Sequence, residues 1–188
     1  MKIIFFSSFL LFASAVFASE QFPDLIIFNG QQFKMHNFPL KTYFDIHPNR
    51  RPRNAGTVSA LWRGYRATFE IINNELILID IEVMRLFRDD FRSVFRRRFR
   101  NRMKVDTFTG NLNLIDGEMT WLFIGFTPIY ENYVVLEIVN GNLIAVHTMT
   151  AYEYLQSRIR SLPGGSDMQN RFIELLDVLL EKQNSRIR

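Results

Sequence analysis

The stretch that decides the fold runs from Trp62 to Val83 and reads WRGYRATFEIINNELILIDIEV. Apolar and polar side chains alternate on both sides of Asn73-Asn74, which is typical of a β-hairpin with half-buried strands. One register keeps its faces consistent through three pairs: Phe69 with Ile79, Ala67 with Ile81, and Arg66 with Glu82. This register predicts a bulge or a three-residue loop near Asn74, since a two-residue loop mixes apolar and polar residues on both faces.

Asn-Gly and Asp-Gly pairs, which accept the positive φ angles of tight hairpin turns, occur at three further places: Asn29-Gly30, Asp116-Gly117 and Asn140-Gly141. A turn at Asp116-Gly117 would place Leu114 opposite Met119 and Leu112 opposite Trp121. A turn at Asn140-Gly141 would place Ile138 opposite Leu143 and Leu136 opposite Ala145. Hairpins at this spacing predict a mainly antiparallel sheet, arranged as a meander or a small open barrel.

The C-terminal part, residues 151–188, is predicted to be helical. Thr150 with Glu153, and Ser166 with Gln169, have the spacing of capping boxes, which mark helix starts. Residues 162–165 (LPGG) separate the two helices. The predicted fold class is therefore α+β.

Residues 84–102 combine a phenylalanine every four residues with a high density of arginine. The phenylalanines are Phe87, Phe91, Phe95 and Phe99. This spacing places them in one stripe of a helix, with guanidinium groups on the other faces. We therefore predict one basic amphipathic helix from Met84 to Arg102.

Residues 1–18 have the features of a secretory signal peptide: Lys2, an apolar run, and small residues before Ser19. The sequence thus predicts export, to the periplasm or as a secreted protein, and a single β-rich domain over residues 19–188. An uncleaved N-terminal membrane anchor is the alternative. The chain contains no cysteine, so its stability must come from packing without disulfides.

Two stretches of the chain resemble a group of bacterial proteins without an assigned activity. The group shares a Trp-Arg-Gly-Tyr strand, an Asp-Ile-Glu strand, and a later segment Phe-Ser/Thr-Gly-x-Leu, followed by two glycines and Tyr-Glu. The matching residues here are Trp62, Arg63, Gly64, Tyr65, Asp80, Ile81, Glu82, Phe108, Thr109, Gly110, Leu112, Gly117, Gly125, Phe126, Tyr130 and Glu131. The chain departs from the group at residues 123–127, where FIGFT replaces His-Met-Gly-Tyr-Gly. The resemblance implies a shared domain and no particular chemistry.

The clustered arginines are the strongest functional feature of the sequence. Arginine suits the recognition of phosphate and carboxylate because its donors form a fixed fork. The candidate binding residues, in the predicted helix and the loop before the hairpin, are Arg50, Arg51, Arg53, Arg92, Arg96, Arg97, Arg98 and Arg100. They predict a non-enzymatic binding module for an anionic lipid surface or an acidic protein, with nucleic acid less accessible after export. A helix whose arginines are merely solvated is the alternative.

Two other functions remain open. An enzyme would use a pocket around the hairpin, formed by Trp62, Arg63, Tyr65, Arg66, Asp80, Glu82 and Tyr130. Paired carboxylates can perform acid–base chemistry when their environments separate their pKa values, whereas a simple Arg66–Glu82 cross-strand ion pair would have no catalytic role. An inhibitor or immunity-type protein is a further possibility whose interface the sequence does not identify.

No motif in the sequence predicts a metal site or a cofactor. Histidine occurs at three scattered positions, His36, His47 and His147, without the spacing of metal ligands. The sequence has no nucleophile elbow and no phosphate-binding loop.

Overall fold

The computed structural model describes residues 21–52, 58–84, 91–94, 102–124, 127–161 and 165–186. The strands are β1 (Asp24–Phe28), β2 (Gln31–Met35), β3 (Arg66–Ile72), β4 (Glu75–Met84), β5 (Phe91–Ser93), β6 (Met103–Lys104), β7 (Gly110–Ile124), β8 (Thr127–Val139) and β9 (Asn142–Thr150). The helices are α1 (Leu40–Ile46), α2 (Ala151–Arg160) and α3 (Ser166–Arg186), with short 3-10 turns at Pro48–Arg50 and Ser59–Leu61. The predicted signal peptide lies outside the described residues.

The strands form one strongly curved sheet in the order β3-β1-β2-β7-β8-β9-β4-β5, with β6 paired to β4. Strand β3 also pairs with β4, so the sheet curls back on itself. All pairings are antiparallel except that of β1 with β3. Within the described residues, one pair, Glu75 with Asn142, joins β4 to β9. Val146 of β9, which pairs with the buried Leu136, is 46% exposed, and the described strands do not form a clear barrel.

Two apolar clusters cover the opposite faces of β8. Leu136 and Ile138 belong to the main core inside the curved sheet. Tyr133 and Val135 point the other way, into a second cluster with Leu155 of α2 and with α3. Side chains alternate across a strand, so a strand buried on both faces connects the two clusters. The predicted α+β class, with a mainly antiparallel sheet and two C-terminal helices, is confirmed.

The Trp62–Val83 hairpin uses both registers that its sequence allows. Arg66 pairs with Glu82 and Ala67 with Ile81, as predicted, but Phe69 pairs with Leu78 instead of Ile79. The register changes between Thr68 and Phe69, so the bulge lies in mid-strand rather than near Asn74. Asn73 and Asn74 both have positive φ, at 50° and 61°, and form a two-residue turn.

The hairpin predicted at Asp116-Gly117 is wrong, because both residues lie inside the continuous strand β7. Leu114 pairs with Val134 of β8, and Gly117 lies where the β7–β8 register shifts. Its φ of +89° serves a bulge instead of a turn. The hairpin at Asn140-Gly141 is confirmed with its Ile138–Leu143 pair, but Leu136 pairs with Val146, not Ala145, across another bulge.

A continuous basic helix from Met84 to Arg102 is also wrong. Phe91–Ser93 form β5 and pair with the end of β4, where Arg92 lies opposite Val83. The remaining parts of the predicted helix, residues 85–90 and 95–101, lie outside the described residues.

The predicted capping box at the start of α2 is present. The Glu153 amide donates to Thr150 Oγ1 at 3.3 Å, and the Thr150 amide donates to Glu153 Oε2 at 2.8 Å. Thr150→Ala is expected to lower the free energy of unfolding by about 1 kcal/mol, because the Glu153 amide loses its acceptor and the Glu153 carboxylate loses the hydroxyl donor. Urea denaturation would measure this loss. Thr150→Ser, which keeps the hydroxyl, should be close to wild type, and equal losses for both variants would contradict the capping role.

Candidate functional site

The Trp-Arg-Gly-Tyr segment forms a turn at one end of the sheet. It follows the 3-10 turn Ser59–Leu61, and the Gly64 amide donates to the Leu61 carbonyl at 2.9 Å. Gly64 has a φ of +78°, a conformation that glycine adopts without strain. The turn leaves Trp62 56% exposed, while Arg63 and Tyr65 point inward and are buried.

A buried ion pair holds this turn against the start of β1. Arg63 Nη2 donates to Asp24 Oδ1 at 2.8 Å and to the Phe22 carbonyl at 2.6 Å. Asp24 Oδ1 also accepts from the Ala67 amide at 2.9 Å. The guanidinium carbon of Arg63 lies 3.9 Å from the centre of the Phe38 ring, a cation–π contact. Together these contacts connect the Trp62 turn with β1 and β3.

The pair is incompletely satisfied. Among the described residues, Asp24 Oδ2 and Arg63 Nε and Nη1 have no hydrogen-bond partner, although all three atoms are buried. Desolvation outweighs the attraction of Arg63 and raises the pKa of Asp24 to about 6. Burial also raises the pKa of Tyr65, whose hydroxyl stays protonated. We interpret the buried Asp24–Arg63 pair as a structural anchor of the Trp62 turn.

A small pocket of about 60 Å³ lies beside this anchor. Its lining residues are Phe38, Lys41, Phe44, Asp45, Arg51, Trp62, Arg63 and Tyr65. Arg51 Nη2 donates to the Arg63 carbonyl at 2.9 Å, which places a second guanidinium next to Trp62. Lys41 is exposed but paired with Asp45 at 2.7 Å. The pocket has room for about two water molecules and is too small for a side-chain anchor.

Exposed apolar and basic residues occur in the segments that supply the pocket, namely α1, the turn after it and the Trp62 turn, and we call this set the Trp62 surface. Ile46 at the end of α1 is 59% exposed and Val58 is 40% exposed. The exposed arginines Arg50 and Arg51 follow α1 directly. The Trp62 surface is thus defined as Lys41, Ile46, Arg50, Arg51, Val58 and Trp62.

The structure divides the residues of the predicted enzyme pocket among three places. Trp62, Arg63 and Tyr65 line the small pocket. Arg66, Asp80 and Glu82 lie instead together on the hairpin, beside β5, which pairs with the end of β4. Arg66 pairs with Glu82 at 2.7 Å and stacks over Phe91 at 4.0 Å, while Asp80 accepts from Ser93 Oγ at 2.6 Å. These contacts give the carboxylates structural partners.

The predicted arginine set is only partly described. Arg50 and Arg51 belong to the Trp62 surface, and Arg92 is exposed on β5. Arg53, Arg96, Arg97, Arg98 and Arg100 lie outside the described residues.

Tyr130, the last member of the predicted enzyme pocket, belongs to a different and larger pocket. This tyrosine pocket measures about 190 Å³ and lies between β7, β8, α2 and the segment after β2. Its lining residues are His36, Asn37, Asn113, Ile115, Tyr130, Tyr133, Tyr154 and Arg158. Of these, only Tyr130 was predicted from the sequence as a site residue. The sequence contains the tyrosines at 130, 133 and 154 but does not show that they are neighbours. The packing of α2 on β8 brings them together.

Comparisons with protein families, with curated proteins and with solved structures gave no match. The resemblance to the bacterial group therefore stays a prediction. No helix in the described part of the chain is long and apolar enough to cross a membrane. Within the same residues, no group of three or more histidine and acidic side chains is arranged to hold a metal ion.

Proposed function

We propose that this protein is a non-enzymatic binding module that attaches to an anionic lipid surface through the Trp62 surface. The observation that carries the proposal is an exposed tryptophan that lines one pocket with the exposed Arg51, on a turn held by a buried ion pair, with the exposed Arg50 next to Arg51 in the chain. Tryptophan and arginine side chains both have an apolar body and a polar tip, which suits the boundary between headgroups and acyl chains.

Rigidity supports the proposal. Exposing a tryptophan side chain to water is unfavourable in free energy. Here the bonds from Arg63 to Asp24 and to the Phe22 carbonyl hold the turn so that Trp62 points outward. The backbone conformation of Gly64 further fixes the turn. A preformed apolar tip loses little conformational freedom on binding, so more of its burial free energy contributes to affinity.

The shape of the surface favours lipid over an acidic protein. A protein partner typically places a large anchor residue in a fitted pocket, and the pocket beside Trp62 is only about 60 Å³. Lipid requires protruding apolar tips and nearby cations instead of a fitted pocket. Ile46, Val58 and Trp62 supply the tips, and Arg50 and Arg51 supply the charge. The predicted export of the chain would bring it to the lipids of a bacterial envelope.

Trp62→Ala is expected to weaken binding to vesicles of phosphatidylcholine with phosphatidylglycerol by about tenfold, because it removes the largest apolar tip. Arg50→Gln should weaken binding about fivefold, at roughly 1 kcal/mol per basic residue near an anionic surface. Co-sedimentation at low and physiological salt would measure both effects, and the loss in Arg50→Gln should shrink at the higher salt.

Two matched control variants distinguish binding through the Trp62 surface from nonspecific adsorption to the vesicles. Ile144 on β9 is also 56% exposed, and Arg171 on α3 is an exposed arginine, so Ile144→Ala and Arg171→Gln should bind like wild type. Equal binding of wild type and Trp62→Ala would refute the proposal. Binding to an acidic peptide such as polyglutamate, without binding to the vesicles, would show that the partner is an acidic protein instead.

A further inference from the structure

The tyrosine pocket takes no part in the proposed lipid attachment. Its volume of about 190 Å³ slightly exceeds that of an engineered cavity of about 150 Å³ that binds benzene. Pockets for drug-sized ligands are larger, from about 300 Å³. The pocket therefore accommodates one six-membered ring.

The aromatic wall of the pocket is rigid. The rings of Tyr133 and Tyr154 stack with centroids 3.8 Å apart and an angle of 18° between their planes. Tyr130 meets Tyr133 edge-on at 6.4 Å, and its amide donates to the Tyr133 hydroxyl at 3.0 Å. Strand β8 carries Tyr130 and Tyr133 and helix α2 carries Tyr154, so the wall depends on the packing of these two elements. It offers flat carbon surface for a ligand with an apolar face.

The polar groups of the pocket are mostly uncharged. Asn37 Oδ1 accepts from the Asn113 amide at 2.7 Å, and the Asn37 side-chain NH₂ adds donors to the pocket lining. Burial raises the pKa of Tyr133 to about 12 and raises that of Tyr154, so both hydroxyls stay protonated at neutral pH. Amide and phenol groups can each donate and accept hydrogen bonds. Such a set matches the hydroxyl groups of a sugar.

One charged side chain, Arg158, completes the lining. It is exposed on α2, and no carboxylate side chain of the described residues lines the pocket. Its guanidinium lies close enough to Tyr133 and Tyr154 to influence the titration of both hydroxyls electrostatically. An anionic substituent on the ring would meet this guanidinium in a charge-assisted hydrogen bond.

From this arrangement we propose that the tyrosine pocket binds a single sugar ring that carries a carboxylate. The ring packs on the tyrosine wall, its hydroxyl groups bond Asn37 and the phenols, and its carboxylate pairs with Arg158. The tyrosine pocket shares no lining residue with the Trp62 surface, so either proposal can fail without the other.

Isothermal titration of the full protein with glucuronate, glucose and benzoate would test this assignment. Glucuronate is expected to bind about tenfold more tightly than glucose, since the carboxylate adds a charged hydrogen bond. Arg158→Gln should reduce glucuronate binding to the level of glucose. Arg160→Gln, which removes an exposed arginine two residues away on the same helix, should leave both affinities unchanged.

A second variant tests the hydroxyl contacts separately. Asn37→Asp keeps the acceptor for the Asn113 amide but removes the NH₂ donors and adds a negative charge, so it should weaken glucose binding and weaken glucuronate binding more strongly. Benzoate binding as tightly as glucuronate would overturn the sugar assignment in favour of an aromatic acid. Failure of glucuronate to bind the folded protein, or equal losses in Arg158→Gln and Arg160→Gln, would overturn it as well.

Discussion

Replacing Arg63 with methionine is expected to lower the free energy of unfolding by about 3–5 kcal/mol at neutral pH, because it breaks a buried ion pair from one side. Asp24 is fully buried and Arg63 is 4% exposed. Methionine would fill part of the space but would leave the Asp24 carboxylate without its counter-ion. The bond to the Phe22 carbonyl and the stacking over Phe38 would be lost as well.

The loss should depend on pH in a direction that the pKa of Asp24 fixes. Desolvation raises that pKa from 3.8 to about 6 in the folded protein, so the folded state binds the proton more tightly than the unfolded state. The contribution of Asp24 to stability is therefore most favourable below pH 4, falls as pH rises toward 6, and is constant above. Removing Arg63 takes away the largest opposing interaction and raises this pKa further. The deficit of Arg63→Met should thus be larger at pH 8 than at pH 5.

Urea denaturation of wild type and Arg63→Met at pH 5 and pH 8 would measure both effects. The double variant Asp24→Asn/Arg63→Met serves as the control. Asparagine keeps the acceptor for the Ala67 amide while both charges disappear, so the double variant should be more stable at pH 8 than Arg63→Met alone. A loss below 1 kcal/mol, or the same loss at both pH values, would contradict the role of this pair as the anchor of the Trp62 turn.

The sequence predicted the antiparallel sheet more accurately than it predicted the registers of the strand pairs. Turns at Asn29-Gly30, Asn73-Asn74 and Asn140-Gly141 form where the residues accept positive φ. Asp116-Gly117 has the same local chemistry yet lies in a strand, because β8 offers β7 a long pairing partner. In the Trp62 hairpin, polar alternation predicted the outer register correctly. A mid-strand bulge then restored the register that the two-residue turn requires.

The prediction of a continuous basic helix was wrong for a specific reason. Phenylalanines four residues apart form a stripe on a helix, but an even spacing also places them on one face of a strand. The period alone cannot separate the two structures. Phe91 shows the second outcome: it packs edge-on against Phe22 at 5.4 Å and under Arg66, both contributed by distant parts of the chain.

The candidate sites also differ in how far the sequence alone could predict them. Trp62 and Arg63 were recognisable because unusual residue types are neighbours in the sequence. Asp24 was not, since only the parallel pairing of β1 with β3 buries it beside the Trp62 turn. The tyrosine pocket combines residues from four segments. A cavity of this kind is a product of tertiary packing and leaves no local pattern.

Gly141→Ala is expected to destabilise the protein by about 3 kcal/mol, because two independent penalties coincide at this turn. Gly141 has a φ of +71°, where a side chain costs roughly 1–2 kcal/mol. A Cβ atom would also lie 2.7 Å from the Val105 carbonyl oxygen and 2.9 Å from its carbon. These are backbone atoms, which cannot rotate away as the end of a side chain can.

The clash at Gly141 would also disturb hydrogen bonds at a point where three parts of the sheet meet. The Gly141 amide donates to the Phe108 carbonyl at 2.9 Å, and its carbonyl accepts from the Leu76 amide at 2.8 Å. These bonds tie the β8–β9 turn to the segment before β7 and to β4, beside the Glu75–Asn142 pair that joins β4 to β9. Displacing the turn would therefore weaken the pairing of β4 with β9, which keeps the curved sheet folded over its core.

Gly30→Ala is the matched control for the Gly141 prediction. Gly30 has a φ of +79° in the same kind of Asn-Gly turn, but no atom lies within 4 Å of the position that a Cβ atom would occupy there. Its substitution should cost only the conformational penalty, about 1 kcal/mol. Urea denaturation of both variants would thus separate backbone strain from close approach. Equal losses would show that the contact with Val105 contributes nothing, whereas a larger loss in Gly141→Ala assigns the difference to the close approach to Val105.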